Sequence, residues 1–482
     1  MFAATLVLAR LLVPDEFGLV AFALAVMHYL EYLTDLGLGA ALVYRPDAEE
    51  QEVSSTAFWI GIAGGVLLFV ASWFIAPLLG ELGPDERVVE LFRVLALYFL
   101  FTALGKAHEY RLRRRLDFRR LFWPQFLGGL VKGGVAIALA AGGSGAWSLI
   151  IGQLAGALTQ SAALWTVEPW RPTFVIARDR LRPMLRFGLG IVAVGLLGQG
   201  ARNFDYLIVG AKLGAVALGL YYLAFRLPEL VILSGFQVAN EVLFPFYARL
   251  KEGVVEGAAE LRRGYLQTVR LGSLVAFPAA FAMAALALPL VLTLYGEEWR
   301  SSAAPLACIA IWAGVASLAS MPGAVMKALG RSWLLTATGV MQIAILFPAI
   351  WVAADYSITA VAASQVAAQT LSLALLGAVI GRLLDLPWYA TFTAGAPALA
   401  LSVLMAGAVY PLTLALPAGA ALAVGVPLSA LLYLLGLKLF MPEGLEMLVR
   451  PLRELIRRPE STGGPARTPS PERSQEPAAR AS

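Results

Sequence analysis

Apolar runs of about 20 residues recur along the whole chain and are separated by short polar segments. A helix of about that length crosses the hydrocarbon core of a bilayer, which is about 30 Å thick. Only 14% of the residues are charged, against about 25% in an ordinary soluble domain. The sequence therefore predicts an all-α, polytopic membrane protein rather than a soluble protein with buried helices. We expect thirteen full spans, at 17–41, 56–79, 89–108, 120–141, 147–167, 187–209, 216–238, 268–293, 303–325, 333–353, 359–380, 389–410 and 419–439.

The segment MFAATLVLARLL stands ahead of the first full span and offers about 11 apolar residues. As a helix it is about 17 Å long, which is too short to cross the membrane. We expect it to be the second half of a first helix whose beginning is missing.

The basic residues mark one side of the membrane. Nineteen Lys and Arg residues fall in alternate loops, whereas the opposite loops carry only Arg87, Lys212 and Arg300. Because short cytoplasmic loops of membrane proteins are rich in Lys and Arg, we expect the loop RLRRRLDFRR and the C terminus to be cytoplasmic. The net charge of +5 is then a topology signal, and we expect no nucleic-acid partner.

Metal-binding and redox residues are scarce. The chain has one cysteine, Cys308, so it forms no internal disulfide, and its two histidines, His28 and His108, are too few for a metal cluster. We expect no metal and no cofactor.

Two halves of the chain resemble each other. ARLLVPDEFGLVAFALA from Ala9 matches GAKLGAVALGLYYLAFR from Gly210 at an offset of 201, and Pro77 matches Pro289 at an offset of 212. The spans of the two copies run in the same direction, which predicts two pseudo-symmetric helical bundles around an axis along the membrane normal. We expect an N-terminal lobe at 1–186, a second lobe at 187–380, two additional helices at 381–440, an interfacial amphipathic helix at 441–458 and a disordered cytoplasmic tail at 459–482.

Several charged residues lie inside the predicted spans. In GQGARNFDYLIVG, from Gly198 to Gly210, a spacing of 100° per residue puts Gln199, Arg202 and Asn203 on one helix face, flanked by Asp205. Each charge costs about 2.5–3.5 kcal/mol at the centre of a lipid-facing helix. We therefore expect these groups to face a cavity or one another. A plain Arg202–Asp205 ion pair between helices remains the structural alternative.

The segments ARLLVPDEFGLVAFALAV, DLGLGAALVYR, RLDFRR, GAWSLIIGQLAGAL, RFGLGI, NFDYLIVGAKLGAVALGLYYLAFRL and LFPFYARL occur in an order that resembles the polysaccharide-transporter branch of the multidrug/oligosaccharidyl-lipid/polysaccharide exporter superfamily. The resemblance covers nearly all of residues 1–440. It implies a fourteen-helix plan, a central cavity and alternating access. It also implies that a flippase of the Wzx type moves undecaprenyl-pyrophosphate-linked oligosaccharide, a lipopolysaccharide or exopolysaccharide precursor, across the bacterial cytoplasmic membrane. Asp205 and Arg226 match motif positions where such transporters place polar groups of the cavity.

The expected roles follow from side-chain chemistry. Cationic side chains suit the pyrophosphate and amides suit sugar hydroxyls, so we expect the substrate cavity to include Lys132, Arg202, Arg226, Gln199, Asn203, Gln237 and Asn240. Carboxylates inside the spans are candidates for proton or sodium coupling, namely Glu31, Asp35, Asp205 and Glu229. The expected partners are the lipid-linked oligosaccharide, membrane lipids and polysaccharide-assembly proteins.

Two other functions are compatible with parts of this pattern. A drug or organic-cation antiporter of the same fold needs a net acidic, aromatic cavity. A membrane glycan polymerase or ligase needs a long outer loop with catalytic groups, and the predicted outer loops are short. The flippase is therefore the leading hypothesis, and we expect no enzymatic activity.

Overall fold

A computed structural model describes residues 2–34, 50–175, 178–251 and 257–457. Throughout these ranges the regular secondary structure is helical. The α-helices are α1 Phe2–Leu11, α2 Pro14–Glu31, α3 Glu50–Leu82, α4 Arg87–Leu95, α5 Leu97–Arg114, α6 Phe118–Ala141, α7 Ala146–Val167, α8 Arg178–Pro228, α9 Ser234–Lys251, α10 Gly257–Ala285, α11 Ala287–Leu294, α12 Ala303–Ala319, α13 Met321–Ala328, α14 Ser332–Ala353, α15 Ile358–Leu384, α16 Ala390–Val409, α17 Leu412–Ala415, α18 Ala418–Phe440 and α19 Pro442–Arg457.

Ten helical stretches of the described residues are long and apolar enough to cross a membrane. The predicted all-α, polytopic architecture is thus confirmed. The number of spans is not settled by this count, because a helix that continues through a kink is counted once. The 48-residue stretch Asn203–Leu250 is one such case.

Helix α8 consists of two helical arms joined at a kink. Its 51 residues would extend about 77 Å as one straight helix, well beyond the ~45 Å of a whole bilayer. Gly214 interrupts it with φ 85° and ψ 177°, a conformation that glycine adopts readily and other residues do not. The break lies between the predicted spans 187–209 and 216–238.

The second arm of α8 packs against α2 at backbone distance. A Cβ added to Gly18 would overlap the Ala215 carbonyl oxygen, and one added to Gly219 would overlap the Pro14 carbonyl oxygen. The contact is reciprocal, since Pro14 and Gly18 relate to Ala215 and Gly219 by the same offset of 201 found in the sequence repeat. Small residues let two membrane helices approach this closely.

Further contacts reinforce this joint, which we call the joined face. The Trp299 indole Nε1 donates to the Ala9 carbonyl at 2.8 Å, and the Trp299 ring meets Phe17 edge-on at 5.3 Å between centroids. Within the second half of the chain, the Ser302 hydroxyl donates to the Leu220 carbonyl at 2.8 Å. The Arg10 guanidinium donates to the Leu294 carbonyl at 3.2 Å, near the end of α11. The two halves of the chain are therefore held together by backbone acceptors at this end.

A small charged cluster lies beside the joined face. Arg87 contacts Asp15 at 2.9 Å and Asp85 at 3.0 Å. The hydrogen bonds from Arg87 lower the pKa of Asp85, so this carboxylate is charged at neutral pH. Because exposed ion pairs contribute little to stability, the packing around Trp299 matters more.

The last helix, α19, falls in the segment predicted to be an amphipathic helix, and its position at the interface stays a prediction. The tail from 458 onward and Asp35 lie outside the described residues.

Candidate functional site

A cavity of about 340 Å³ opens between the two halves of the chain. Lys132 of α6 and Gln153 of α7 line it from the first half. Arg226 at the end of α8, Glu229 and Ser234 line it from the second half. The rest of its wall is largely apolar. Helices α1 and α2 contribute Ala4, Leu8, Phe17, Val20, Ala21 and Leu24, and further residues come from α6, α7 and α8. We call it the central cavity.

The close packing of α6 and α7 fixes the position of Lys132. An added Cβ on Gly156 would lie 2.7 Å from the Lys132 Cβ and 2.8 Å from the Gly128 carbonyl oxygen. An added Cβ on Gly152 would lie 2.8 Å from the Lys132 carbonyl oxygen. These distances are too short for a side chain, so the two glycines let α7 lie directly against the Lys132 backbone. The lysine is thereby held at the cavity wall.

Tyr222 and Glu229 hold Arg226 in place. The Arg226 guanidinium lies over the Tyr222 ring, 4.5 Å from its centroid, and also donates to the Tyr222 hydroxyl. The Arg226 Nη1 donates to the Glu229 Oε2 at 3.0 Å. Tyr222 is one turn before Arg226 and Glu229 one turn after it, so local helical spacing alone builds the arrangement. Arg226 thus faces the cavity with its charge partly balanced.

The helix changes its winding directly after Pro228. Residues Glu229–Leu233 form a π-helical turn, and the Ser234 hydroxyl donates to the Glu229 carbonyl at 2.8 Å. A π-turn holds more residues than an α-turn, so it rotates the side chains that follow it. Such turns occur frequently at functional sites.

That rotation separates Asn240 from Arg226. Asn240 lines a different cavity of about 330 Å³, in the second half of the chain, together with Lys327 and Gln342. Its Nδ2 donates to the Ser320 hydroxyl at 2.8 Å. The structure therefore does not place Asn240 with Lys132 and Arg226.

Asp205 is buried, only 3% exposed, and is not among the residues that line the central cavity. Its Oδ2 accepts hydrogen bonds from the Tyr221 hydroxyl at 3.0 Å and the Gln365 Nε2 at 2.8 Å. Its Oδ1 and the Gln365 Oε1 meet no hydrogen-bond partner among the described residues. The side chain of Arg202 lies outside the described residues, so the structure does not test the Arg202–Asp205 pair.

Glu31 faces a third cavity, of about 380 Å³, within the first half of the chain. Its Oε1 lies 3.3 Å from the Lys106 ammonium. Lys132 and Gln153 line this third cavity as well as the central one. We call it the side chamber.

The other predicted site residues vary in burial. Gln199 is buried, Asn203 is half-buried and Gln237 is exposed. Sequence reasoning missed Gln153, Tyr222 and Gln365, because a neutral side chain within an apolar span gives no strong signal. The glycines Gly152 and Gly156 around Gln153 were the available clue, since small residues mark close helix contacts.

Together, these observations define a polytopic α-helical membrane protein with a polar cavity between its two halves. Residues 7–304 match the profile of the family described as "Polysaccharide biosynthesis protein", and the chain belongs to this family.

Three curated relatives are similar over part of their length. "Teichuronic acid biosynthesis protein TuaB" of Bacillus subtilis is 28% identical over 63% of this chain and 62% of its own. "Succinoglycan biosynthesis transport protein ExoT" of Rhizobium meliloti is 27% identical over 65% and 63%. "Lipopolysaccharide biosynthesis protein WzxC" of Escherichia coli is 22% identical over 61% and 59%. The match thus spans less than two thirds of the length of each of these three relatives.

Solved structures show the same fold. The structure titled "Lipid II flippase MurJ, inward closed conformation" superposes with a TM-score of 0.71 at 15% identity, covering 94% of this chain and 98% of its own. An inward-facing MATE family transporter gives a TM-score of 0.61 at 17% identity, over 79% and 94%. These likenesses confirm the predicted fold.

Proposed function

We propose that this protein flips an undecaprenyl-pyrophosphate-linked oligosaccharide across the bacterial cytoplasmic membrane by alternating access. One observation carries the proposal: Lys132 and Arg226, which come from opposite halves of the chain, line the same cavity. Membership in a polysaccharide biosynthesis family supports the same substrate class.

The charge of the central cavity suits an anionic head group. Its described lining contains two cations, Lys132 and Arg226, and one carboxylate, Glu229. A pyrophosphate cannot enter hydrocarbon unaided, because an unpaired charge there is very costly. Arg226 is able to bind phosphate oxygens bidentately, while the apolar wall from α1 and α2 accommodates the start of the lipid tail.

An organic-cation antiporter is the main competing function. The MATE likeness shows a shared fold, at 17% identity. The excess of cations in the described lining disfavours a cationic drug through like-charge repulsion. We therefore place the antiporter second, and we infer that the protein acts as a transporter and not as an enzyme.

Asp205 is the first candidate for ion coupling. The Asp205 Oδ1 and the Gln365 Oε1 are buried without a side-chain partner among the described residues, and the Gln365 Nε2 donates to the same carboxylate, so this pair offers acceptor oxygens to a proton or a sodium ion. The further candidates are Glu229, Glu31 and Asp35. Among them, Glu229 accepts a hydrogen bond from Arg226, which lines the proposed substrate cavity.

The proposal also assigns the sides of the membrane. With a cytoplasmic C terminus, as the basic loops predict, the joined face lies at the outer surface. Gly18 and Gly219 then close the outside of the cavity. Alternating access requires this joint to open while the opposite ends of the two lobes approach. The lobes 1–186 and 187–380, with the additional helices at 381–440, are the bodies that move.

Transport by purified protein in vesicles tests the proposal. The substrate is lipid-linked oligosaccharide with a radiolabelled sugar, and the readout is its exposure to an external glycosidase. We expect wild-type protein to raise the exposed fraction over time, and both Arg226→Ala and Lys132→Ala to slow the rate at least about tenfold. The exposed Arg270 and Lys438 provide the matched controls Arg270→Ala and Lys438→Ala, which we expect to transport normally. Wild-type rates in both cavity variants would overturn the cationic cavity.

A further inference from the structure

The side chamber lies between α2, α5, α6 and α7, apart from the lobe junction. Its volume of about 380 Å³ falls in the usual range of small-molecule sites, about 300–1,000 Å³. Neutral hydrogen-bonding side chains line it from three helices, namely Thr102, Gln125, Gln153 and Gln160. An amide group both donates and accepts hydrogen bonds, as a sugar hydroxyl does.

The charges of the side chamber cancel. Two carboxylates, Glu31 and Glu109, and two ammonium groups, Lys106 and Lys132, line it. Glu31 pairs with Lys106 at 3.3 Å, and Glu109 pairs with Arg113 at 2.7 Å. A balanced lining favours neither an anion nor a free cation. It suits a neutral ligand with many hydroxyl groups.

Lys132 and Gln153 form the border between the two cavities, since both line each of them. The Gln153 Oε1 is buried and has no hydrogen-bond partner among the described residues. A buried acceptor without a partner is costly, and a hydroxyl of a bound ligand removes that cost.

We infer that the side chamber is a saccharide subsite, which holds the sugar next to the pyrophosphate while Lys132 and Arg226 hold the phosphates. This inference rests on the proposed function and extends it, because it divides substrate recognition between two cavities. The central cavity binds the pyrophosphate, which every such lipid carries. The side chamber binds the sugar and therefore determines which glycan is preferred.

Binding measurements with two lipid probes test the inference. The probes are undecaprenyl pyrophosphate and an undecaprenyl-pyrophosphate-linked disaccharide, titrated onto full-length protein in nanodiscs and followed by native mass spectrometry. We expect wild-type protein to bind the disaccharide lipid at least about tenfold more tightly than the bare lipid. In the variant Gln125→Leu/Gln160→Leu we expect that preference to fall to about one, because two hydrogen-bonding groups are lost. Its affinity for undecaprenyl pyrophosphate should not change.

The bare lipid serves as the internal measure of folding, since a misfolded variant loses affinity for both probes. Gln267→Leu is the matched control, because Gln267 is exposed on α10 and should keep the wild-type preference. A preference that persists in the double variant, or a wild type that binds both probes equally, overturns the subsite and leaves the proposed function standing. A wild type that binds neither probe overturns both.

Discussion

Gly18 and Gly219 face each other across the joint between the two lobes, each against the backbone of the opposite helix. No side chain fits at either position, because an added Cβ on one would overlap the Ala215 carbonyl oxygen and on the other the Pro14 carbonyl oxygen. Since the two contacts are equivalent, both glycines are equally important for the close packing of α2 against α8.

Gly18→Ala and Gly219→Ala should therefore destabilise the closed joint by similar amounts. Overpacking of a tight contact costs about 1–3 kcal/mol, so we expect a lower thermal unfolding temperature in both variants. We also expect faster labelling of a cysteine introduced near Trp299. Gly134 is exposed and has open space around it, so Gly134→Ala should behave as wild type. A normal unfolding temperature in both joint variants would show that the helices separate without cost.

Gly156→Ala should displace Lys132 without changing any charge. The new methyl group would lie 2.7 Å from the Lys132 Cβ, so α6 and α7 must move apart. We expect slower transport and weaker binding of undecaprenyl pyrophosphate, by at least about fivefold, with normal membrane insertion. If affinity stays at the wild-type value, the packing of α7 does not position the lysine.

Tyr222→Phe separates two contributions to the position of Arg226. The variant keeps the ring under the guanidinium and loses the hydroxyl that accepts its hydrogen bond. A hydrogen bond to a charged group contributes about 1.5–3 kcal/mol, so we expect transport to fall about ten- to hundredfold. Tyr222→Leu should lower it further, because the cation–π contact is lost as well. Equal rates in the two variants would assign the whole effect to the hydroxyl.

Asp205→Asn should uncouple transport from the ion gradient. The neutral amide keeps the size of the side chain and its place beside Tyr221 and Gln365, but it cannot exchange a proton or balance a cation. We expect vesicle transport that no longer responds to an imposed proton or sodium gradient, while binding of undecaprenyl pyrophosphate persists. A variant that still responds to the gradient as wild type does would move the coupling role to Glu229 or Glu31.

Much of the architecture could be predicted from the sequence, because apolar runs of about 20 residues and an internal repeat extend over many residues. Apolar runs located the helices, although α9 continues to Lys251, beyond the predicted end at 238, and α10 begins at Gly257, ahead of the predicted start at 268. The offset of 201 matched the reciprocal Gly18 and Gly219 contact. Lys132 and Arg226 stood out because a charge inside an apolar span is expensive. Their shared cavity, however, depends on how α6 and α8 pack, and no local pattern contains that information.

The errors of placement within the site have physical causes. The sequence analysis assigned Asn240 and Arg226 to one cavity, but they line two different cavities, and the π-turn at Glu229–Leu233 changes the helical phase between them. Asp205 attracted attention through its charge, yet its partners Tyr221 and Gln365 come from distant positions. Gln365 is 160 residues away, and only the tertiary fold brings it near.

The joint at Gly18 and Gly219 is built from main-chain atoms, while the walls of the side chamber are built from side chains. In the proposed flippase, closure and glycan preference are therefore encoded by different parts of the molecule, which share only α2. Substitutions in the chamber leave the main-chain joint as it is. A transporter of this design is open to redirection toward new sugars, by evolution or by engineering, without rebuilding the device that opens and shuts it.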